Sequence, residues 1–310
     1  DGTPLRAKLF GSIRPLARIG SRWYRWSNRI QNTPIARYFM NHWFDLAPGR
    51  PLPNFSKSLF RRWNSGGQST KPSVILMADC FSCFYESDLG LAAIKILEAF
   101  GYQVVLEDVG CCGRTNISVG RLGAARKNIE QTAPAMEQLQ RRHNAVGIVA
   151  LEPSCASAMQ EDWGELKTDV PTSTTQFLAA STTNLESFLL NHWDQHPQRP
   201  GFTPDNRSVM VHTHCHAKHE GPVVAELLTK LGFLATAVDS GCCGLAGSFG
   251  YRAECDDISR AVAEQSLGPH LRAHPDALVV AHGTSCRHQV TDVFGREAIS
   301  PTELLARSLA

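Results

Sequence analysis

The stretch VGCCGRTNISVG at 109–120 places two adjacent cysteines in front of a glycine, and SGCCGLAGSFG at 240–250 does the same. Adjacent cysteines rarely bridge each other, because the strained ring that would form fits disulfide geometry poorly. The two pairs are therefore either buried packing residues or ligands of a group that needs several thiolates.

Both cysteine pairs belong to a longer internal repeat. Two pairs of equivalent cysteines are each separated by 131 residues, and a third by 135, a shift of four that a loop insertion explains. The equivalent cysteines are Cys111 and Cys242, Cys155 and Cys286, and Cys80 and Cys215. Two copies of one duplicated unit account for this regularity.

Each copy alternates apolar runs typical of strands with helical patterns. Strands are predicted at 73–79, 102–109, 145–151, 208–213, 233–239 and 277–282. Helices are predicted at 89–101 and at 222–232. A long helix is predicted to end at about residue 143, and another to end at about residue 268. This alternation predicts βαβ units and a parallel sheet in each copy. We therefore expect an α/β fold of two pseudo-symmetric, Rossmann-like halves, at 71–200 and 201–310, preceded by a basic helical arm at 1–70.

Each half has cysteines just past the carboxyl ends of three predicted strands, the edge at which open α/β sheets bind ligands. Four thiols would meet there, and four thiolates coordinate zinc or an iron–sulfur cluster. Gly113 and Gly244 allow the chain to turn with positive φ beside the site. The eight candidate ligands are Cys80, Cys111, Cys112 and Cys155 in the first half, and Cys215, Cys242, Cys243 and Cys286 in the second.

Other residues near these motifs have simpler interpretations. Cys83 and Cys255 break the repeat and are expected to be packing residues. The three histidines in VHTHCH at 211–216 alternate at a strand end, so we expect them to share one face. They either support or pack beneath a cluster, donate a hydrogen bond to a cluster sulfur, or form a separate zinc site. Glu152 and Pro153 are interpreted as residues that shape the turn before Cys155.

The arm is strongly basic. Residues 1–70 contain twelve Lys and Arg against two Asp, a net charge of +10, whereas the other 240 residues carry −8. Eleven aromatic residues accompany these charges. No nucleic-acid recognition motif is present, so we expect no nucleic-acid partner. The arm is predicted to contact an acidic protein partner or anionic lipid headgroups, or to pack on upstream domains.

The whole sequence of 310 residues is otherwise that of an ordinary globular protein. No apolar run approaches the roughly 18 residues of a membrane span. Ten cysteines without a signal-peptide pattern indicate a reducing compartment. We expect a cytoplasmic protein, attached peripherally at the inner face of the cytoplasmic membrane.

Four motifs carry a resemblance to a known family: GCCGRTNIS, LEPSC, SGCCGLAGSFGY and GTSCRHQV. They resemble the cysteine-rich CCG domains of heterodisulfide reductases. They are also similar to the iron–sulfur subunits of anaerobic glycerol-3-phosphate dehydrogenase and glycolate oxidase. The C-terminal region of long FAD-linked D-lactate/D-2-hydroxyglutarate dehydrogenases is similar as well. The resemblance covers about 70–310, and the arm more loosely.

The resemblance implies an iron–sulfur electron-transfer module that passes electrons from a flavin toward a quinone or another acceptor. The eight repeated cysteines are then the cluster ligands. Gln289 stands where heterodisulfide reductases have the last cysteine of a CxxC, which favours [4Fe–4S] clusters on four cysteines over a five-thiolate cluster. Neither the FAD-binding region nor the ferredoxin motif of the long relatives is present, and the chain begins with Asp1. We therefore expect a fragment of an FAD-linked oxidoreductase, with FAD on an upstream domain or on another polypeptide.

Two other functions fit the same cysteines. Four-cysteine sites serve zinc equally well, so a zinc-stabilised scaffold without a redox role is one alternative, and zinc at only one of the sites is a related one. Thiol–disulfide catalysis at a vicinal pair, as in heterodisulfide reductases, is the other.

Overall fold

The computed structural model describes residues 2–64 and 70–310. The composition of SGGQSTKPS at 65–73 predicts a linker, and most of that segment lies outside the described residues. The boundaries at 70 and 200 between arm and halves remain predictions.

Two parallel four-stranded sheets with the same strand order form the centre of the fold. In the first sheet the order is β2-β1-β3-β4, and in the second it is β6-β5-β7-β8. The strands are β1 Ser73–Leu76, β2 Gln103–Val105, β3 Ile148–Ala150, β4 Thr182–Asn184, β5 Ser208–His212, β6 Leu234–Val238, β7 Leu278–Ala281 and β8 Ala298–Ile299. The expected α/β fold with two duplicated halves is confirmed.

Helices form the arm and cover the sheets. The arm contains α1 Leu5–Gly11, α2 Ile13–Arg22, α3 Tyr24–Gln31 and α4 Pro34–Phe44. The first half contains α5 Cys80–Phe84, α6 Ser87–Ala99, α7 Arg114–Ser118, α8 Leu122–His143, α9 Pro153–Ser157, α10 Trp163–Glu165, α11 Thr172–Ser181 and α12 Leu185–Asn191, with a π-helical turn at Ala158–Asp162 between α9 and α10. The second half contains α13 Val223–Lys230, α14 Asp256–Ser266, α15 Gly268–Ala273, α16 Thr284–Phe294 and α17 Pro301–Ser308. Short 3₁₀ turns lie at Leu59–Arg61, Trp193–Gln195, Cys215–Glu220, Phe249–Tyr251 and Ala253–Cys255.

The two halves share one hydrophobic core. Alternate strand residues face opposite sides of a sheet, so Val74 of β1 points into the shared core while Ile75 faces a core of the first half alone. Val211 of β5 joins the shared core, and Met210 joins a separate core of the second half. Helix α6 packs against α17, and α13 packs against α12. Each contact joins a helix of the first half to a helix of the second, as a pseudo-twofold arrangement requires.

The arm is packed on both halves of this chain. Leu59 is fully buried in the shared core. The buried guanidinium of Arg50 donates to Asp256 Oδ1 at 2.7 Å, to Gln289 Oε1 at 2.5 Å and to Ser259 Oγ at 2.9 Å, all in the second half. The arm is therefore anchored by specific buried contacts, while much of its outer face stays exposed.

A buried ion pair lies between the halves. His282 Nε2, beyond the end of β7, is 2.9 Å from Glu186 Oε2 on α12, and Thr302 donates to the other carboxylate oxygen at 3.0 Å. Burial alone would raise the pKa of Glu186, but attraction to the imidazolium of His282 outweighs it and lowers that pKa. Burial would lower the pKa of His282, and attraction to Glu186 raises it instead. Each group thus stabilises the charged form of the other.

We expect Glu186→Gln to lower the free energy of unfolding by about 3 kcal/mol, because it leaves a buried imidazolium unpaired. The raised pKa of His282 stabilises the fold below its unfolded value of about 6.5, and this stabilisation is lost as pH rises through the folded value. The lowered pKa of Glu186 stabilises the fold above about 4.3, and this is lost as pH falls through its folded value. Urea unfolding across pH should give the largest loss between about pH 4.3 and 6.5. Glu165→Gln, at an exposed residue of α10, is the control. A loss that does not vary with pH would contradict the assignment.

Candidate metal centres

Four thiols of the first half meet at the carboxyl ends of three strands. Cys80 is the first residue of α5 after β1, Cys111 and Cys112 lie in the loop after β2, and Cys155 lies in α9 after β3. The Sγ atoms of Cys80 and Cys111 are 4.0 Å apart, and those of Cys112 and Cys155 are 3.1 Å apart. All four side chains are buried. The structure therefore brings these four predicted ligands together at this edge of the sheet.

The second half repeats the arrangement with more solvent access. Cys215 follows β5, Cys242 and Cys243 follow β6, and Cys286 lies in α16 after β7. The thiol of Cys215 interacts with Cys242, and that of Cys243 with Cys286. Cys243 and Cys286 are buried, whereas Cys242 is half-buried and Cys215 is exposed. The pairing of the thiols is thus the same in both halves.

Glycine shapes the loop beside each vicinal pair. Gly113 has φ +84° and Gly244 has φ +89°, as the sequence predicts. The Gly244 N–H donates to Cys242 Sγ at 3.3 Å, and the Gly113 N–H helps to lower the pKa of Cys111. In both loops the backbone N–H after the pair therefore stabilises negative charge on its first sulfur.

Side chains also fix the carbonyl groups of these loops. Trp163, buried on α10, donates its indole N–H to the Cys112 carbonyl at 2.8 Å. Thr132 of α8 donates to the Cys111 carbonyl at 3.0 Å, and Ser266 of α14 donates to the Cys242 carbonyl at 2.6 Å. These contacts hold the thiols in place. No local sequence pattern indicates them, because each donor is more than twenty residues from its acceptor.

The first cysteine of each vicinal pair is the more acidic one. Neighbouring thiols donate to Cys111 and lower its pKa well below the usual value for cysteine. Hydrogen bonds from the thiols of Cys215, which has the larger effect, and of Cys243 lower the pKa of Cys242 to about 2. The thiols that donate, Cys80 and Cys112 among them, have raised pKa values. In the second half the pKa of Cys286 is also lowered, first by the hydrogen bond from Cys243. The thiolate form is therefore favoured at one cysteine of the first half and at two of the second.

The donor set fits a group that takes four thiolates, although the sulfurs of Cys112 and Cys155 lie closer together than such a group requires. Four thiolates around zinc, with Zn–S bonds of about 2.3 Å, would be about 3.8 Å apart. Within residues 2–64 and 70–310, no group of three or more His, Cys, Asp or Glu side chains could hold a metal ion in the positions that the side chains now occupy. The 3.1 Å contact between Cys112 and Cys155 must open before either group is bound.

Arg14 of the arm extends to the first site, a role that the sequence did not indicate. Its Nη1 donates to the Ala78 carbonyl at 2.7 Å and lies 3.8 Å from Cys80 Sγ. Its Nη2 donates to Asp108 Oδ1 at 2.5 Å. A buried guanidinium beside the thiols offsets part of the negative charge that four thiolates would bring.

The strand predicted to carry the three histidines is shorter than the predicted alternation requires, although His212 and His214 both interact with Cys286. Strand β5 ends at His212, and the chain then turns into the 3₁₀ segment Cys215–Glu220, so the alternation stops. His212 Nδ1 is 2.6 Å from Ser240 Oγ, and its Nε2 is buried with no hydrogen-bond partner among the described residues. The rings of His214 and His216 stack with centroids 5.5 Å apart.

His214 and His216 lie where the two halves meet. His216 Nδ1 is 2.8 Å from the hydroxyl of Ser157, two residues after Cys155. His214 Nδ1 is 3.9 Å from Cys215 Sγ. The stacked pair therefore connects a helix of the first site with a thiol of the second.

Glu152 has a larger role than turn shaping. Its Oε2 accepts from the Thr284 N–H at 3.0 Å, at the start of the helix that carries Cys286. Its Oε1 accepts from Ser154 at 3.0 Å and is 3.9 Å from His214 Nε2. Pro153 is the first residue of α9, as expected for a turn before a helix. Glu152 thus joins the loop before Cys155 to the second site.

The two cysteines outside the repeat are buried in packing environments. Cys83 is fully buried in the shared core. Cys255 is buried, and its sulfur accepts from Arg252 Nη2 at 2.7 Å. Gln289, at the position of the missing fifth cysteine, is fully buried between Arg50 and Ser259, so that position serves to anchor the arm.

A family model described as CCG, cysteine-rich domain, matches residues 209–291. Residues 209–291, which make up most of the second half, are similar to the CCG cysteine-rich domain. The match includes all four candidate ligands of this half, three of them after β5 and β6 and the fourth in α16. The matched region carries two of the motifs on which the resemblance rests, SGCCGLAGSFGY and GTSCRHQV.

Curated relatives extend the likeness to most of the chain. The matched subunit of the anaerobic glycerol-3-phosphate dehydrogenase of Escherichia coli is 28% identical over 84% of this chain and 66% of its own length. D-2-hydroxyglutarate dehydrogenase of Pseudomonas putida is 26% identical over 75% of this chain and 22% of its own length. An uncharacterized iron-sulfur protein of Methanococcus maripaludis is 21% identical over 73% of this chain and 42% of its own length. The chain is homologous to these proteins and spans less than two thirds of each.

The glycine of the second loop offers a sharp test of the site's packing. A Cβ on Gly244 would lie 2.3 Å from the Ser259 carbonyl, whereas one on Gly247, which also has positive φ, would meet no atom within 4 Å. We expect Gly247→Ala to cost about 1 kcal/mol of unfolding free energy through its backbone conformation alone. Gly244→Ala should cost at least about 3 kcal/mol, because the helix carrying Ser259 must move. Urea unfolding of both variants measures this; equal losses would contradict the close approach.

Proposed function

We propose that the chain is an iron–sulfur electron-transfer module of an oxidoreductase, with one cluster site in each half. The observation that carries this proposal is the recurrence of four thiols at the same strand ends in both halves. Homology to an iron-sulfur protein and to dehydrogenases supports it. If the cysteines served only to pack the core, nothing would require equivalent thiol pairs at two sites that differ in solvent exposure.

The eight repeated cysteines would hold the clusters, [4Fe–4S] on four thiolates each. When bound, such a group accepts and releases single electrons at a potential set by its charge, its hydrogen bonds and its exposure. Around the first site, Arg14 and the Gly113 N–H offset negative charge, and burial excludes water. Around the second, the Gly244 N–H offsets negative charge, and Cys215 stays open to solvent. The two sites should therefore differ in potential.

The stacked histidines supply the contact route between the sites. His216 hydrogen-bonds Ser157 beside Cys155, and its ring partner His214 lies against Cys215. Glu152 stabilises this region because its carboxylate accepts a hydrogen bond from the Thr284 N–H. We propose that electrons cross between the halves here. The donor is a flavin domain or subunit of an FAD-linked dehydrogenase for a 2-hydroxyacid or a similar substrate, and the acceptor is a quinone or another oxidant.

Zinc is the second candidate occupant, because one observation favours it. The Sγ separations of 4.0 Å and 3.1 Å in the first half are nearer to the edge of a zinc tetrahedron, about 3.8 Å, than to a larger cluster. Zinc at the first site would leave a scaffold there and a single redox site in the second half.

Metal analysis of anaerobically purified protein separates these functions. We expect iron with an equal amount of acid-labile sulfide, and about half of both to be lost in Cys112→Ser and again in Cys243→Ser, since each removes one of two four-thiolate sites. Cys255→Ser is the matched control and should keep the full content. Zinc without sulfide would overturn the cluster assignment, and zinc lost only in Cys112→Ser would assign it to the first site.

We further propose that the arm attaches the module reversibly to an anionic membrane surface. Of the fourteen large apolar side chains exposed in the described residues, ten lie between Leu5 and Trp43. Five of them recur every three or four residues along α2 and α3 and form an exposed stripe: Leu16, Ile19, Trp23, Trp26 and Ile30. Exposed arginines at 18, 22, 25 and 29 flank it. Apolar side chains on one face beside basic ones suit an interfacial helix, and no helix of the described residues is long and apolar enough to cross a bilayer.

We expect co-sedimentation with phosphatidylglycerol vesicles at low salt and release at high salt, since each base near an anionic surface contributes about 1 kcal/mol. Replacing Trp26 and Ile30 by Gln should weaken binding at least about tenfold, because both side chains would be buried at the interface. Replacing Leu122 and Val146, which are exposed outside the arm, by Gln is the matched control. Absence of binding at low salt, or equal weakening in the control, would contradict the attachment.

A further inference from the structure

A cavity of about 570 Å³ lies between the arm and the first half. A volume of this size is typical of sites that bind a single small molecule. Its walls combine three cations with three aromatic rings: Arg18, Arg22, Arg61, Trp23, Phe60 and Phe84. No residue of the cavity belongs to either four-cysteine site.

The cations of this cavity are largely uncompensated. Arg18 pairs with Asp108, the one carboxylate in the wall. Among the described residues, neither the Arg22 nor the Arg61 side chain has an ion-pair or hydrogen-bond partner, and both are exposed. Uncompensated guanidinium groups around a concave surface favour a ligand that carries or acquires negative charge.

The cavity adjoins the first cysteine site. Phe84 lies on the same short helix as Cys80, and the guanidinium carbon of Arg14 is 5.7 Å from the centre of the Phe84 ring. Arg14 also links Asp108 in the cavity wall to Cys80, binding the carboxylate at 2.5 Å and lying 3.8 Å from the sulfur. A single side chain therefore separates the cavity wall from a candidate cluster ligand.

The other side of the cavity faces the proposed membrane surface. Trp23 lines the cavity and is also part of the exposed stripe on α2 and α3. A molecule with a polar ring and an apolar tail could place its ring among the arginines while its tail follows the stripe.

We infer that this cavity binds the ring of a quinone, the electron acceptor of the module. The inference rests on the proposed function, because the electrons must come from the first four-cysteine site. Aromatic walls accept a planar ring by stacking, and arginines stabilise the oxygen charge that develops as the ring is reduced. An inorganic or lipid phosphate would use the arginines but not Trp23, Phe60 and Phe84.

The reaction at this site balances in a simple way. The quinone takes up two electrons, delivered one at a time from the group bound by the first-half cysteines, and two protons from water at the open mouth of the cavity. Its two carbonyl groups become hydroxyl groups. The flavin of the proposed partner, reduced by its own substrate, replaces both electrons.

Binding of duroquinone to the full chain tests the inference, since the fully substituted ring does not add thiols. We expect calorimetry on anaerobically purified protein to show binding to the unmodified chain. The affinity should fall about tenfold in the double variant Arg22→Gln, Arg61→Gln, which removes two charge-assisted contacts from a half-exposed site. Arg307→Gln, an exposed arginine of α17 outside both the arm and the cavity, is the matched control and should bind normally.

The same samples distinguish failure of the cavity from failure of the module. Normal iron and sulfide with no duroquinone binding, or with unchanged affinity in the double variant, would overturn the quinone site alone. If protein without iron binds duroquinone, and the double variant weakens that binding, the electron-transfer module is overturned while the cavity assignment holds. Binding of inorganic phosphate at the cavity in place of duroquinone would make it an anion site and overturn the inference.

Discussion

The parallel register of three strands in each sheet is the constraint on which the rest of the structure depends. Strand β1 pairs with β2 on one side and with β3 on the other, all running in the same direction. The chain must therefore leave all three strands at one edge, and the residues that follow them meet there. In this protein those residues include four cysteines. The second sheet repeats the pairing with β5, β6 and β7.

The shared core makes the two sites parts of one body. Because α6 packs on α17 and α12 on α13, neither half buries its apolar surface without the other. The polar contacts between the halves then fall beside the cysteines, with Glu152 on the Thr284 N–H and His216 on Ser157. Interactions that stabilise the interface are thus the same ones that connect the sites. A change at Glu152 would affect both the packing and the contact route.

The sequence was informative wherever a feature is periodic or repeated. The six strands predicted from apolar runs, the helix ending at His143 and the 131-residue repeat all match the structure. Strand β4 was missed because TTN at 182–184 is short and polar, and β8 was missed because AI at 298–299 is only two residues long. Contacts such as Arg14 to Cys80 and Arg50 to Gln289 join residues 66 and 239 positions apart, so no local pattern could indicate them. The strand predicted to carry the three histidines ends at His212, and residue type alone does not indicate where a strand ends.

The central claim is that each half binds iron through its own four cysteines. Anomalous X-ray diffraction at the iron edge, from crystals grown without oxygen, tests it most directly. Our account predicts two separate iron peaks, one within bonding distance of the sulfurs of Cys80, Cys111, Cys112 and Cys155, the other of Cys215, Cys242, Cys243 and Cys286. Iron at neither position, or a zinc-edge signal at both in its place, would contradict it.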